Sequence, residues 1–442
     1  MLSKRGLKFG IACAISTLMA TPVFAAKMAS SCSMSEDRLD VTGENIDTLM
    51  PIASVSKIYT TLMAITNFNV QDKFYTQIYV TAVSRGLFDV HIQGSHDPYF
   101  NKFKMHMIIS KLNEMDVTNI RNLTFDENLK YLYETDLSKG FLVSGRLIKP
   151  LILKADLDFP TPAIVASELM QTTQILKSYK ESYKLAAANG IILFKNPNFR
   201  VQKISFLNKS VFVAGPTVQK IFVTSQNVKT ILKSMNWNSN NFAANQMFVA
   251  SGGLDRFKKL YYRDFNQTEN DVVFVNGSGQ NHDLTGNSRI YNKATCKNVL
   301  RTLHMLNKAS QSQKLNLQDI MSVVGTDKGS TVGGAVYSNE LTNGAVIAKT
   351  GTVGTNIALA GIANTKKGRK YFMFNVELKS STSKKESNTA RRMISAELQK
   401  LIKANGGPVA LKYQRQNPLD DNLENYDEET IENADLNAAE VN

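Results

Sequence analysis

The stretch that decides the fold lies late in the chain, at residues 345–378, AVIAKTGTVGTNIALAGIANTKKGRKYFMFNVEL. It holds three short apolar runs, at 345–351, 356–364 and 370–378. Short β-rich runs separated by Gly- and Lys-containing turns predict successive antiparallel strands, with a hairpin turn at 366–369. A helix is predicted over 388–404, ended by Gly406 and Gly407. Strands followed by a covering helix predict an α+β fold with an antiparallel sheet flanked by helices.

A second informative stretch is residues 49–68, LMPIASVSKIYTTLMAITNF. Its apolar residues Val55, Ile58, Leu62 and Ile65 recur at helical spacing. Because many of its residues are β-branched and therefore poor helix formers, this helix depends on burial more than on intrinsic propensity.

Length and composition exclude several classes of protein. The chain has 442 residues, 43% of them hydrophobic and 20% charged, which is enough for two or three domains with a large core. Three cysteines exclude a disulfide-stapled mini-fold and a multi-cysteine zinc or iron–sulfur scaffold. Apart from the first residues, no apolar run is long enough to predict a membrane span.

Residues 1–25 are typical of a signal peptide. Lys4, Arg5 and Lys8 precede a short apolar segment, and small residues near Ala25 offer a cleavage site. We therefore expect an exported protein of the periplasm or cell envelope. Outside the cytosol Cys32 and Cys296 are able to pair, but two unpaired thiols are the simpler interpretation, because the sequence gives no distance between them.

Charge is unevenly distributed along the chain. The whole chain has a net charge of +14. Residues 1–25 contribute three positive charges and residues 416–442 contribute nine negative charges, so the body between them (26–415) carries +20. A basic body of an exported protein indicates peripheral contact with an anionic wall or membrane, and no nucleic-acid-binding motif is present. The acidic segment 412–442 is predicted to be a disordered tail.

The first candidate for chemistry is Ser54-Val55-Ser56-Lys57. On a helix, residues i and i+3 share a face, so the Ser54 hydroxyl and the Lys57 amine are able to touch. Burial at a helix N-terminus lowers the pKa of a lysine toward that of a general base, which would activate the serine as a nucleophile. The same spacing at Ser381-Thr382-Ser383-Lys384 is better explained as a basic surface loop.

The second candidate is Lys349-Thr350-Gly351-Thr352, at the end of an apolar strand. Lys349 supplies a positive charge, and Thr350 and Thr352 supply hydroxyl donors for a carboxylate. Gly351 has no side chain, so a substrate backbone is able to lie against the strand. A backbone N–H here is positioned to complete an oxyanion hole with that of Ser54.

The third candidate is a Ser-x-Asn motif, and Ser239-Asn240-Asn241 is the preferred one, because it lies in a polar loop between two predicted helices. Ser225 is predicted to cap the helix that follows a strand at 220–224. The weaker alternatives are Ser225-Gln226-Asn227, Ser234-Met235-Asn236 and Thr285-Gly286-Asn287.

Taken together, the three motifs resemble those of the class C low-molecular-mass penicillin-binding proteins, the D-alanyl-D-alanine carboxypeptidases and endopeptidases of the serine DD-peptidase superfamily. Ser54 follows a proline, Pro51, as in that family, and Ser239 precedes Lys349 by 110 residues, near the family's spacing. The segment 276–279, Asn-Gly-Ser-Gly, is similar to the family's Asp-Gly-Ser-Gly. The resemblance covers 50–135 and 216–404.

The resemblance implies a penicillin-binding/β-lactamase-like transpeptidase domain with an inserted accessory domain. The catalytic domain would comprise 26–75 and 216–411, and the inserted region 76–215. In this comparison Ser54 is the nucleophile that forms an acyl-enzyme, Lys57 is the base, and Ser239 relays a proton toward the leaving group.

The same resemblance implies how substrate binds. Asn241 holds the substrate amide, Lys349 and Thr350 bind the terminal carboxylate of D-Ala, and Thr352 contacts it or lends its N–H to the oxyanion hole beside Gly351. The implied partners are peptidoglycan stem peptides, with β-lactams as covalent inhibitors and without a metal or another cofactor.

Some features depart from the family pattern. Asn240 stands where Asp is common, and the segment before Ser54 is so short that an N-terminal strand is expected to be missing. The insert at about 136–215 has no recognisable match, and its role stays open.

The sequence leaves two other functions open, a catalytically weak wall-binding protein and a β-lactamase. It does not separate carboxypeptidase from endopeptidase activity, and it fixes neither the oligomeric state nor membrane attachment.

Overall fold

The structure is a computed structural model. It describes residues 26–100, 102–129, 141–143, 146–148, 186–192, 200–280 and 290–415. The predicted signal peptide (1–25), most of the predicted insert and the acidic residues 416–442 lie outside the described residues.

The described residues form sixteen strands and seven α-helices. The strands are β1 (Ala26–Ser35), β2 (Val41–Glu44), β3 (Met50–Pro51), β4 (Lys73–Ser84), β5 (Leu87–Gln93), β6 (Asn119–Phe125), β7 (Phe141–Val143), β8 (Arg146–Ile148), β9 (Arg200–Phe206), β10 (Gln219–Asn227), β11 (Val272–Val273), β12 (Lys293–Ala294), β13 (Ser322–Val323), β14 (Val346–Val353), β15 (Asn356–Thr365) and β16 (Gly368–Leu378). The helices are α1 (Ser56–Asn67), α2 (Lys102–Glu114), α3 (Val228–Asn238), α4 (Asn241–Ala250), α5 (Gly253–Lys258), α6 (Cys296–Ser312) and α7 (Lys384–Ala404).

The main sheet confirms the predicted α+β fold. Its strand order is β13-β14-β15-β16-β1-β2, with antiparallel pairing throughout. The three strands predicted over 345–378 are β14, β15 and β16, and the hairpin pairs Thr365 with Gly368 across the predicted turn. The predicted terminal helix is α7, which begins earlier than expected because the Ser383 side chain accepts a hydrogen bond from the Glu386 N–H and caps it.

Both faces of this sheet are buried at β15, which explains why residues 357–363 are continuously apolar. Phe372 and Phe374 of β16 pack with α7 residues such as Leu398, and the alternate residues Tyr371 and Met373 pack in the core that contains α1 and α6. Successive residues of a strand point to opposite faces of the sheet. A strand with helices packed on both faces therefore has no face exposed to solvent, and polar residues are not needed on either face.

The expectation that an N-terminal strand is missing is wrong. Strand β1 pairs with β16 along almost its whole length, from Ala26 opposite Leu378 to Ser35 opposite Lys370. The interpretation of two unpaired thiols is also wrong, because Cys32 of β1 is bonded to Cys296 at the start of α6. The bridge connects the sheet to the helical layer behind it.

A second, five-stranded sheet of mixed direction has the order β10-β4-β5-β6-β9. One face packs against α2, and residues such as Ile78, Ile92 and Ile108 form a separate core. The sheet extends past both predicted limits of the insert, since β4 begins at Lys73 and β10 ends at Asn227. The domain limits remain a prediction.

The predicted cap of α3 needs a correction. Asn227, rather than Ser225, is the N-cap, and its side chain accepts from the Thr230 N–H. The Ser225 hydroxyl instead accepts from the Phe74 N–H on the neighbouring strand. None of the described helices is long and apolar enough to cross a membrane.

Candidate active site

Ser54 lies in a tight turn between β3 and α1. The turn is a short 3-10 helix, Ala53–Val55, and its first residue, Ala53, has a φ of +49°, which is unfavourable for a residue with a side chain. The turn is held from outside, because Ile52 N–H donates to the Asn292 carbonyl and the Asn375 side chain donates to the Pro51 carbonyl. Strain at such a position is typical of functional sites.

The predicted pair of Ser54 and Lys57 is in contact. Lys57 Nζ lies 3.0 Å from Ser54 Oγ, as the i, i+3 spacing requires. The lysine is fully buried, and burial, followed by the nearby charge of Lys349, lowers its pKa well below the ordinary value. A buried amine with a lowered pKa beside a hydroxyl has the properties of a general base.

Lys57 has two further partners. Its Nζ donates to Asn241 Oδ1 at 2.6 Å and to the Ser278 carbonyl at 3.1 Å. The Asn241 oxygen accepts from the lysine, and its amide nitrogen is the donor assigned to the predicted contact with a substrate. Sequence analysis missed the Ser278 carbonyl.

Ser239 lies between two helices, as predicted. It ends α3 in the left-handed conformation with a φ of 56°, and its Oγ accepts from Lys349 Nζ at 2.8 Å. Asn240, which departs from the family pattern, is the N-cap of α4 and accepts from the Ala243 N–H. An amide oxygen caps a helix as well as a carboxylate does, so the change is structurally tolerated.

Lys349 and Gly351 are on β14, next to the nucleophile turn. Lys349 is completely buried, and burial lowers its pKa to about 7. A side chain at Gly351 would place its first carbon 2.6 Å from the Ile52 carbonyl oxygen. The protein's own turn therefore requires this bare backbone, and the approach of a substrate backbone to Gly351 stays a prediction. Thr350 is half-buried and Thr352 is exposed.

Among the described residues, the competing motifs do not join this cluster. Asn236 is buried and donates to Thr61 Oγ1 and to the Ile320 carbonyl, and Ser383 caps α7. Thr285-Gly286-Asn287 falls outside the described residues. Within the described ranges, no group of three or more His, Cys, Asp or Glu could hold a metal ion.

The arrangement joins two serine–lysine pairs in one site. Lys57 faces Ser54, Lys349 faces Ser239, and the two lysines are close enough for the charge of Lys349 to lower the pKa of Lys57. A hydroxyl with a neutral amine beside it is able to attack a carbonyl, and the second pair places a proton donor and a cation nearby.

Comparison with known proteins agrees with this chemistry. A model of the D-Ala-D-Ala carboxypeptidase 3 (S13) family matches residues 216–400. The search of curated proteins gave no match.

Solved structures cover most of the chain. The chain is similar to Bd3459, a predatory peptidoglycan endopeptidase from Bdellovibrio bacteriovorus, at 31% identity and a TM-score of 0.72, over 89% of this chain and 97% of that one. A penicillin G-acylated form of Bd3459, in complex with the immunity protein Bd3460, is similar at 30% identity and a TM-score of 0.71, with the same shares covered.

A more distant structure shares the fold. Penicillin binding protein 4 from Haemophilus influenzae is 15% identical with a TM-score of 0.61, over 85% of this chain and 97% of that one. On the strength of the family model and the Bdellovibrio structures, the chain belongs to the D-Ala-D-Ala carboxypeptidase 3 (S13) family of serine peptidases.

Proposed function

We propose that this serine peptidase cleaves the D-alanyl-D-alanine bond of peptidoglycan stem peptides, and their peptide cross-links, through an acyl-enzyme on Ser54. The observation that carries the proposal is the position of Lys57 Nζ, 3.0 Å from Ser54 Oγ in a fully buried setting. Penicillin acylation of the related Bd3459 supports it.

The reaction begins when Lys57 takes the Ser54 proton as Oγ attacks the scissile carbonyl carbon. The N–H groups of Ser54 and Thr352 are the proposed donors to the oxyanion. As the carbon–nitrogen bond breaks, the leaving nitrogen takes a proton through Ser239, which Lys349 contacts. Water then hydrolyses the ester and frees Ser54.

Substrate binding is assigned to β14 and the start of α4. Lys349 and Thr350 bind the terminal carboxylate, Thr352 contacts it at the exposed end of the strand, and the Asn241 amide nitrogen donates to the substrate. The bare backbone of Gly351 keeps the strand close to the nucleophile turn.

The proposed location is the cell envelope. The signal-peptide pattern of residues 1–25, the Cys32–Cys296 bridge and the basic body all support export to a place with an anionic polymer.

Labelled penicillin tests the mechanism directly. The wild type should be acylated at Ser54, and Ser54→Ala should not be labelled. The matched control is Ser381→Ala, because Ser381 is exposed and also stands three residues before a lysine. Equal labelling of Ser54→Ala and wild type would remove the mechanism.

Incubation with purified peptidoglycan then tests the substrate. Release of free D-Ala measures carboxypeptidase activity, and conversion of cross-linked fragments to monomers measures endopeptidase activity. Peptidoglycan binding with neither product, together with slow labelling, would favour a wall-binding protein. Rapid turnover of a chromogenic β-lactam would favour a β-lactamase, although the described partners of Ser54 and Lys57 include no carboxylate to activate a water.

A further inference from the structure

The aromatic side chains that are exposed in the described part of the chain all lie on the second sheet. They are Tyr75 of β4, which is 52% exposed, Phe222 of β10, which is 48% exposed, and Phe206 of β9. Tyr75 and Phe222 share the face that is turned away from α2, because Phe222 lies opposite Gln77 and Tyr75 is two residues before Gln77 on the same strand. Exposed apolar side chains that are grouped on one face mark a binding surface.

Polar groups surround these two rings. Lys220 Nζ lies 5.1 Å from the centre of the Phe222 ring and 5.1 Å from the centre of the Tyr79 ring. Tyr79 Oη donates to Gln77 Oε1 at 2.7 Å and lies 3.1 Å from Gln93 Oε1. Because both amide oxygens are turned to the tyrosine, the two side-chain NH2 groups point away from it. Among the described residues neither NH2 group has a hydrogen-bond acceptor, so both are available to a ligand.

Tyr79 is fixed in place by its neighbours. The Phe212 ring lies 4.9 Å from the Tyr79 ring and stacks on the His91 ring at 3.8 Å. His91 lies opposite Tyr79 on β5, and its Nδ1 is 2.9 Å from Thr124 Oγ1. A side chain that is ordered before a ligand arrives loses little conformational entropy on binding. We call this surface the aromatic–amide face, and its members are Tyr75, Gln77, Tyr79, Gln93, Lys220 and Phe222.

The composition of the aromatic–amide face fits a polymer of N-acetylated sugars. A sugar ring presents a flat array of C–H groups that packs on an aromatic ring, and its hydroxyl and N-acetyl oxygens accept hydrogen bonds from amides. Lys220 adds a charge complementary to the carboxylates of peptidoglycan, and within the described ranges it has no ion-pair partner. An anionic membrane would require several cations around the rings, whereas this face has one.

Two helices connect the aromatic–amide face to the active site. Strand β4 follows α1, which begins beside Ser54, and β10 leads into α3, which ends at Ser239. Helix α1 has 12 residues and is therefore about 18 Å long. The face and the nucleophile thus lie toward opposite ends of the same helices. A long polymer is able to contact both, whereas a small β-lactam contacts the active site alone.

We propose that the aromatic–amide face binds the glycan strand of peptidoglycan and holds the sugar backbone while the active site acts on the attached stem peptides. The inference rests on the proposed function, because peptidoglycan is the polymer on which that function acts. Sugar rings lie on Tyr75 and Phe222, and the side-chain NH2 groups of Gln77 and Gln93 donate to the sugar oxygens.

Binding of the full-length protein to glycan strands tests this inference. The probe is peptidoglycan from which an amidase has removed the stem peptides, so the active site has no peptide to bind. The wild type should bind these strands even at high salt, where the charge of the basic body is screened. Phe222→Ala should weaken binding about tenfold, as the loss of a central aromatic side chain does in other interfaces.

Phe206→Ala is the matched control. Phe206 is 49% exposed, close to the value for Phe222, and it pairs with Phe125, whose side chain is buried in the core that contains α2. Because paired residues of neighbouring strands share a face, Phe206 lies on the opposite side of the sheet from Phe222. Phe206→Ala should therefore bind the glycan strands as tightly as the wild type does.

Three results would overturn the inference. They are equal binding by Phe222→Ala and the wild type, no binding by the wild type at high salt, and binding to vesicles of anionic lipid in place of glycan strands. If thermal unfolding shows that Phe222→Ala does not fold, Tyr75→Ala applies the same test. Labelled penicillin reports the active site separately, so a wild type that is not acylated contradicts the proposed function. An acylated wild type that does not bind the strands contradicts this inference alone.

Discussion

At the scale of single residues, the two active-site lysines share their burial and differ in their partners. Lys57 contacts the Ser54 hydroxyl and two groups that only accept, whereas Lys349 contacts the Ser239 hydroxyl and one such group, the Thr350 carbonyl. Burial lowers the pKa of both amines. In the proposed mechanism the two lysines have different roles, because Lys57 acts as a neutral base whereas Lys349 has to carry a charge to bind a carboxylate.

The first prediction concerns substrate binding by Lys349. Its pKa of about 7 means that it loses its positive charge as the pH rises through neutrality. The KM for a peptide ending in free D-Ala-D-Ala should therefore rise between pH 7 and 9. Steady-state kinetics with the same peptide carrying a C-terminal amide supplies the control, whose KM should not follow this titration. A pH-independent KM for the free acid would contradict the assignment of Lys349.

The second prediction concerns the stability cost of the same lysine. The pKa of Lys349 is lower in the folded than in the unfolded protein, so between pH 7 and 10 the unfolded state binds more protons. The contribution of Lys349 to the free energy of unfolding of the wild type therefore increases with pH across that window. Below pH 7 the full cost of burying the charged lysine lowers the stability of the wild type. Lys349→Met should therefore raise the free energy of unfolding by about 1–3 kcal/mol at pH 6, and the gain should shrink toward pH 10.

Urea denaturation at the two pH values measures this difference. Lys370→Met is the control, since Lys370 is half-buried and donates to Ser35 Oγ outside the site. A Lys349→Met variant that is less stable than wild type at pH 6 would show that the Ser239 contact outweighs the cost of burial.

The sequence identified the reactive side chains but not what holds them in place. Ser54 and Lys57 are three residues apart on a helix, so local geometry alone predicts their contact. The Ser278 carbonyl is 221 residues from Lys57 along the chain, and any residue carries a carbonyl, so no residue type signals its role. The run Asn276-Gly277-Ser278-Gly279 indicated only a similarity to a family segment.

At the scale of secondary structure elements, β1 shows where pattern reasoning fails. Its sequence, AKMASSCSMS, is rich in small polar residues and lacks the β-branched residues that predict strands. It is a strand because β16 offers a free edge, and because Cys32 and Met34 fill the core behind it. Tertiary context decides this element, whereas β14 to β16 are predicted by their own composition.

The third prediction concerns the bridge that ties β1 to α6. Cys32 and Cys296 are 264 residues apart, so the bridge removes much of the freedom of the unfolded chain. Replacing both cysteines by alanine should lower the free energy of unfolding by about 2–4 kcal/mol. Guanidinium denaturation measures the change, and a reductant should destabilise the wild type but not the double variant. Equal stability of both proteins under oxidising conditions would contradict the bridge.

The fourth prediction concerns the segment after α7, part of which was predicted to belong to the disordered tail. Tyr413 donates to Asp327 Oδ1, its ring lies 4.8 Å from Lys233 Nζ, and Lys233 is ion-paired with Asp327 at 2.7 Å. Lys233 lies on α3, which carries Ser239 at its end. Tyr413→Phe should therefore lower stability by about 1 kcal/mol.

Thermal unfolding of Tyr413→Phe tests that value. Tyr75→Phe, at a position that is 52% exposed, should have no measurable effect. Unchanged stability of Tyr413→Phe would show that water replaces the hydroxyl contact.

At the scale of the whole molecule, the chain leaves and re-enters the catalytic core at one place. The Val228 N–H donates to the Asp72 carbonyl and the Lys229 N–H to the Val70 carbonyl, so the two ends of the second sheet are hydrogen-bonded to each other. An insertion with adjacent ends disturbs its host little. This closure also joins the end of α1 to the start of α3, the helices that carry Lys57 and lead to Ser239.

The fifth prediction concerns charge. Residues 416–442 carry nine acidic side chains, whereas the body of the chain carries +20. The last residue before this segment is Arg415, whose guanidinium lies 5.4 Å from the centre of the Trp237 ring. Tethered anions compete with an anionic polymer for the same basic surface at high effective concentration. Deletion of 416–442 should therefore strengthen binding to purified peptidoglycan several-fold at low salt, and the gain should vanish at high salt, where charges are screened. A variant that keeps the length of the tail but has its acidic residues changed to Asn and Gln should bind peptidoglycan as strongly as the deletion does, because the charge of the tail is responsible. Binding as weak as that of the wild type would show instead that the tail acts by occupying space.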